Sequence, residues 1–119
     1  ESLETAIAKL AEVEKIFWSD LRIPGAADTL NIELEKALRL LDFIEIGRLM
    51  AYDALNREES CGGHFREEHQ TEEGEAKRDD ENFSYVACWK YTGEGQEPEL
   101  IKEDLNYQYI KVQQRNYKN

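Results

Sequence analysis

The stretch Glu59-Ser60-Cys61-Gly62-Gly63-His64-Phe65-Arg66-Glu67-Glu68, followed after an acidic insert by Arg78-Asp79-Asp80-Glu81-Asn82-Phe83, divides the chain into two kinds of text. Before it, apolar residues recur at every third or fourth position; after it, they recur at every second one. Gly62-Gly63 is therefore expected to close the helical part, and the acidic span 67–81 to form an exposed loop.

Immediately upstream, Leu34, Ala37, Leu38, Leu40, Leu41, Phe43, Ile44, Ile46, Leu49, Met50, Tyr52 and Leu55 predict a helix running to about Arg57. Thr29 or Asn31 is placed to cap it, with Glu33 near the start where the helix dipole favours a carboxylate. The apolar positions occupy well over half the circumference, so this helix needs cover from two or more directions. Further upstream, Leu3, Ile7, Leu10, Val13 and Phe17 form one helical stripe, with Glu4, Lys9, Glu12 and Lys15 opposite it. Arg22-Ile23-Pro24-Gly25 ends that first helix, because proline disfavours helical geometry in the residue before it.

Downstream, Phe83-Ser84-Tyr85-Val86-Ala87-Cys88-Trp89-Lys90-Tyr91 alternates as a strand, and Thr92-Gly93-Glu94-Gly95 reads as a turn. Glu99–Lys102 and Tyr107–Val112 are further strand candidates, and the last residues from Gln113 are expected to fray unless a partner holds them. The expected fold is mainly α: a helical hairpin of three-helix-bundle type with a small C-terminal antiparallel β appendage. As one domain over 1–119, it divides into a hairpin (1–58), a motif loop (59–82), and a β appendage with tail (83–119).

Bulk properties narrow the function. The chain has 119 residues, with 26 acidic against 15 basic side chains and a formal charge of −11, so a nucleic-acid backbone would be repelled. Lys111, Arg115 and Lys118 are too thin a basic accumulation to reverse that. Two cysteines make no secreted-type disulfide framework, which favours a reducing compartment. Lys and Glu interrupt every apolar run, so no membrane span is expected. Starting at Glu1-Ser2-Leu3 within a helical pattern, the chain reads as a piece of something longer.

Candidate chemistry gathers around the dividing stretch. Cys61, His64, His69 and Cys88 have the ligand types of a zinc site, but beyond Cys61-x-x-His64 their spacing fits no common pattern. A Cys61–His64 nucleophile pair lacks an orienting third group. Gly93-x-Gly95 has no strand–loop–helix unit around it and is a hairpin turn rather than a dinucleotide fingerprint. Arg78 with Asp79 and Asp80 can form an ion-pair latch at the crossing from helices to strands, beside the plainer reading of a charged turn.

Taken together, Glu59-Ser60-x-Gly62-x-His64-x-Arg66, the later Arg78-Asp79-Asp80-Glu81-Asn82-Phe83, and the preceding Asn31-x-Glu33-Leu34-x-x-Ala37-Leu38 resemble the C-terminal region of the flavoprotein subunit of succinate dehydrogenases and fumarate reductases. The bacterial, menaquinone-linked type is the most similar form, with Ser60 to Glu68 as they stand here and an ending like Gln114-Arg115-x-Tyr117-Lys118. The resemblance covers the chain from Asn31 onward, while the first helix fits in position more than in sequence. Against the commoner family form, Cys61 replaces an arginine, Gly63 replaces an alanine, and Gln70 to Ala76 is inserted; both replacements agree with the menaquinone-linked branch.

The resemblance implies a parent with an FAD domain and a capping domain ahead of this region, at the cytoplasmic face of the inner membrane beside an iron–sulfur subunit. It places the family's catalytic and flavin-attaching residues in those earlier domains, so none maps here and this fragment holds no cofactor. Glu59, Ser60, His64, Arg66, Arg78, Asp79 and Asp80 are then expected to order the loop or dock it on the FAD domain. The excised chain is expected to be inactive and colourless, and to bury its apolar helix face by forming a homodimer. Two rivals come from other classes: an acidic module whose helical hairpin binds a partner helix, and a small zinc enzyme using Cys61, His64 and His69.

Overall fold

A computed structural model describes residues 1–114. It has two compact units, Glu1–Arg57 and Glu58–Asn119, of which the second is described as far as Gln114.

The first unit is the helical hairpin. Helix α1 spans Ser2–Asp20 and α2 spans Ile32–Asn56, as their apolar periodicity requires. Of the two cap candidates, Asn31 takes the role. Its Oδ1 accepts the N–H groups of Glu33 and Leu34 at 3.1 and 3.2 Å, and its Nδ2 donates to the Pro24 and Ala26 carbonyls. One side chain thus satisfies two orphan donors of the helix start and shapes the connection that enters it. Gly25 has φ of 104°, and a Cβ there would lie 2.8 Å from the Asn31 amide nitrogen, so glycine is required on both counts.

The helices meet where Gly47 of α2 lies against the Leu10 side chain, and Arg48 pairs with Glu14 at 3.7 Å. Ala37 and Ile44 of α2 are the buried apolar side chains of the described residues. That is a thin core. Phe43, Ile46 and Met50 remain more than half exposed, as do Leu38 on another flank of α2 and Ile16 on α1. A third long helix is absent among the described residues.

The second unit carries two antiparallel strands, β1 (Tyr85–Lys90) and β2 (Glu99–Asp104), in a register running from Tyr85 opposite Asp104 to Lys90 opposite Glu99. Lys90 also pairs with Glu99 through its side chain at 3.0 Å, and Lys102 sets its ammonium 4.3 Å from the centre of the Tyr85 ring.

Four local expectations need correction. Helix α2 ends close to the expected Arg57, at Asn56, where Arg57 turns to extended backbone after one last bond to the Asp53 carbonyl, so Gly62-Gly63 does not close it; Gly62, at φ 59°, serves a tight turn instead. The first strand starts at Tyr85 rather than Phe83. Asp79 caps a short helical turn, α3 (Asp80–Phe83), by accepting the Asn82 N–H at 3.2 Å, which takes Phe83 out of the extended run. Tyr107–Val112 forms no strand, since the last ladder bond runs from the Leu105 N–H to the Ser84 carbonyl and the chain then leaves the sheet. Finally, the acidic span is not simply an exposed loop: Gln70 and Ala76 pair across it, and Thr71, Glu75, Arg78 and Asp79 are partly buried. Of the expected family-type ending, Arg115, Tyr117 and Lys118 lie outside the described residues.

Candidate functional site

The motif residues are brought together by backbone hydrogen bonding rather than by a helix or the β1–β2 sheet. The Cys61 and His64 backbones exchange two bonds, of 2.8 and 3.1 Å, closing the Gly62-Gly63 turn. This returns the chain past Ser60, whose hydroxyl accepts the Arg66 N–H at 2.8 Å and lies 3.2 Å from the Arg66 carbonyl, to which it donates. On the other side, the Ser60 N–H reaches the Lys77 carbonyl at 2.9 Å, and the Lys77 N–H reaches the His69 carbonyl at 3.1 Å. Ser60 is therefore the hub of the loop, fully buried although it stands in a polar run.

Glu59 joins the two sequence motifs. Its Oε2 accepts the Asp79 N–H at 2.9 Å across 20 positions of sequence, and the side chain is only 2% exposed. A buried carboxylate is costly unless hydrogen-bonded. Here the bond ties the first motif to the start of α3, where Asp79 then caps through its own carboxylate.

Two arginines line the covered side of the same loop. Arg66 bonds Glu68 through Nε at 2.8 Å and through Nη2, with its side chain largely covered. Glu68 is held below the usual carboxylate range, first by its own backbone N–H and then by Arg66. Arg78 forks onto Asp80 through Nε at 2.9 Å and through Nη2, while Nη1 donates to the Gln113 carbonyl at 3.2 Å. The bond to Asp80 raises Arg78 above its ordinary range, with smaller attraction from Cys61 and Glu59. The ion-pair latch thus forms between Arg78 and Asp80, and Asp79 serves as a cap.

All seven motif residues fall in this one unit. The contributions of His69, Ala76, Lys77, Gln113 and Gln114 were not legible in the sequence, because four of them act through backbone groups that no side-chain type advertises. Cys61 and His64 are neighbours by backbone, whereas Cys88 is exposed in β1. No three of the described His, Cys, Asp and Glu residues are grouped to hold a metal ion.

No dinucleotide-type flavin cradle is formed by the described residues. Gly93 and Gly95, the one closely spaced glycine pair outside the motif loop, lie between two antiparallel strands with no helix following to face a pyrophosphate. No helix among the described residues is long and apolar enough to cross a membrane.

Comparison with known proteins agrees with the motifs. The family described as fumarate reductase flavoprotein C-term matches residues 1–117. A relative, the fumarate reductase flavoprotein subunit of Serratia sp. (strain ATCC 39006), is 30% identical over 117 residues, which cover 98% of this chain and 19% of that protein. The chain thus spans about a fifth of the length of the curated relative it matches. No solved structure matches. With its mainly α fold, its small β appendage and a match over nearly its whole length, the chain belongs to the fumarate reductase flavoprotein C-terminal family.

Proposed function

We propose that this chain is the non-catalytic C-terminal domain, over 1–119, of a flavoprotein subunit that interconverts succinate and fumarate through FAD, and that it braces the parent's FAD and capping domains. The docking element is the knitted loop, whose shape Glu59, Ser60, His64, Arg66, Arg78, Asp79 and Asp80 fix. The observation that supports this is the buried Glu59–Asp79 bond, which ties together two motifs 20 positions apart in sequence. A loop serving only as a connection has no need of a buried carboxylate at its centre. The family description and the relative's name support the parent activity. In the parent, an iron–sulfur subunit and a position at the cytoplasmic face of the inner membrane follow from the same assignment.

The test is reconstitution. The FAD-bearing remainder of the flavoprotein, expressed separately and mixed with this chain, is expected to recover FAD-dependent succinate oxidation, with less recovered for His64→Ala or Arg66→Ala. If the remainder works fully without the chain, the bracing role fails, and an acidic interaction module using the exposed face of α2 becomes the better account.

A further inference from the structure

The segment after β2 has no secondary structure, yet it is pinned at both ends. At its start the Leu105 N–H bonds the Ser84 carbonyl at 3.0 Å. At its far end the Gln113 carbonyl accepts from Arg78 Nη1 at 3.2 Å, and the Gln114 side-chain amide donates to the Ala76 carbonyl at 3.0 Å. Between the pins, Tyr109 and Ile110 stand out in solvent, 88% and 67% exposed. A frayed tail would not return to the same three-residue edge, Ala76 to Arg78, with two groups of different kind.

That edge is the outer margin of the motif loop. Lys77, between the two tail contacts, gives its N–H to His69 and its carbonyl to Ser60. Whatever holds Ala76 and Arg78 therefore also holds the half of the loop that Ser60 leans on. The other half, closed by the Cys61–His64 pair and the Ser60 hydroxyl, is held independently.

We propose that Leu105–Gln114 is a strap that orders the outer half of the motif loop, with Arg78 as its anchor, so that the shape of the loop depends on the tail being in place. Arg78 suits this role because its planar fork serves Asp80 with two nitrogens and still has Nη1 for the strap. A lysine at 78 would keep the charge and lose that division of donors. The proposal concerns the order of the loop and not its docking, so its test is separate from reconstitution.

Residue-resolved amide hydrogen exchange on the chain decides it, comparing the unaltered chain with Gln114→Ala and a truncation after Val112. The protected amides to watch are Thr71 and Lys77, which bond the Glu75 and His69 carbonyls; the controls are Cys61 and His64. Truncation should speed exchange at Thr71 and Lys77 by about tenfold, and Gln114→Ala by about threefold, as expected for two and one solvent-facing hydrogen bonds. Cys61 and His64 should stay within about twofold of the unaltered chain. Should truncation loosen the β1–β2 amides as well, Gln114→Ala, a single exposed side chain, decides alone. Selective acceleration at Thr71 and Lys77 in that variant supports the strap. Unchanged rates at those two amides, or equal acceleration at the controls, overturn it.

Discussion

At the scale of single residues, Ser60 is the position on which the motif loop turns. Its hydroxyl satisfies the Arg66 N–H in a site closed to water, and no solvent molecule can replace it without opening the loop. Ser60→Ala is expected to cost about 1–3 kcal/mol, the penalty of a buried donor left without its acceptor, read as a lower denaturant midpoint for the second unit; an unchanged midpoint would contradict the hub role. Glu68 gives a prediction in pH. Its folded-state pKa lies below the ordinary one, so the stabilisation from its own backbone N–H and Arg66 is fully present above the ordinary carboxylate pKa and is lost as pH falls through the depressed value. A carboxyl-detected titration should place the Glu68 midpoint below that of a free glutamate, and Arg66→Ala should move it back upward.

Single residues also mark where sequence reasoning succeeded and stopped. Asn31 was visible as one of two cap candidates because capping depends on side-chain type. The burial of Glu59 and Ser60 was not visible: nothing in a run of charges and glycines marks them for the interior, and what closes over them is backbone returning from positions 66, 77 and 79. Spacing could pair Arg78 with an aspartate but could not choose between Asp79 and Asp80. Helix geometry made the choice, since Asp79 is engaged as the cap of α3.

At the scale of elements, α1 and α2 were legible because their apolar periods are long, and β1 and β2 because alternation and an intervening glycine turn coincide. Tyr107–Val112 alternates just as well and yet forms no strand, because alternation records which side chains prefer burial and not whether a sheet edge lies within reach. The cap and core of α2 can be tested apart. Asn31→Ala should destabilise the hairpin by about 1–2 kcal/mol through the lost cap. Ile44→Ala, at a 4% exposed position, should cost about 2–5 kcal/mol, enough to unfold a unit with so small a core. Thermal unfolding followed by helical circular dichroism measures both, and equal effects for the two variants would contradict the core assigned here.

At the scale of the whole molecule, the first unit is short of cover. Two buried apolar side chains are too few to offset the ordering of two long helices, while Phe43, Ile46 and Met50 remain in water along α2. In the parent, other domains are expected to supply that cover. For the chain by itself the prediction is self-association with binding of hydrophobic dye, and Phe43→Lys combined with Met50→Lys should shift it toward monomer in light scattering. If the unaltered chain by itself is monodisperse and takes up no dye, the prediction fails.

The proposed docking of the loop from Glu59 to Asp80 on the flavin-bearing part of the same subunit is open to a footprinting test. The most direct measurement is the hydrogen-exchange footprint of this chain, free and mixed with the FAD-bearing remainder. New protection concentrated between Glu59 and Asp80, diminished by Arg66→Ala, is the expected result. Binding that protects only α2 and leaves the loop exchanging at its free rate would contradict it.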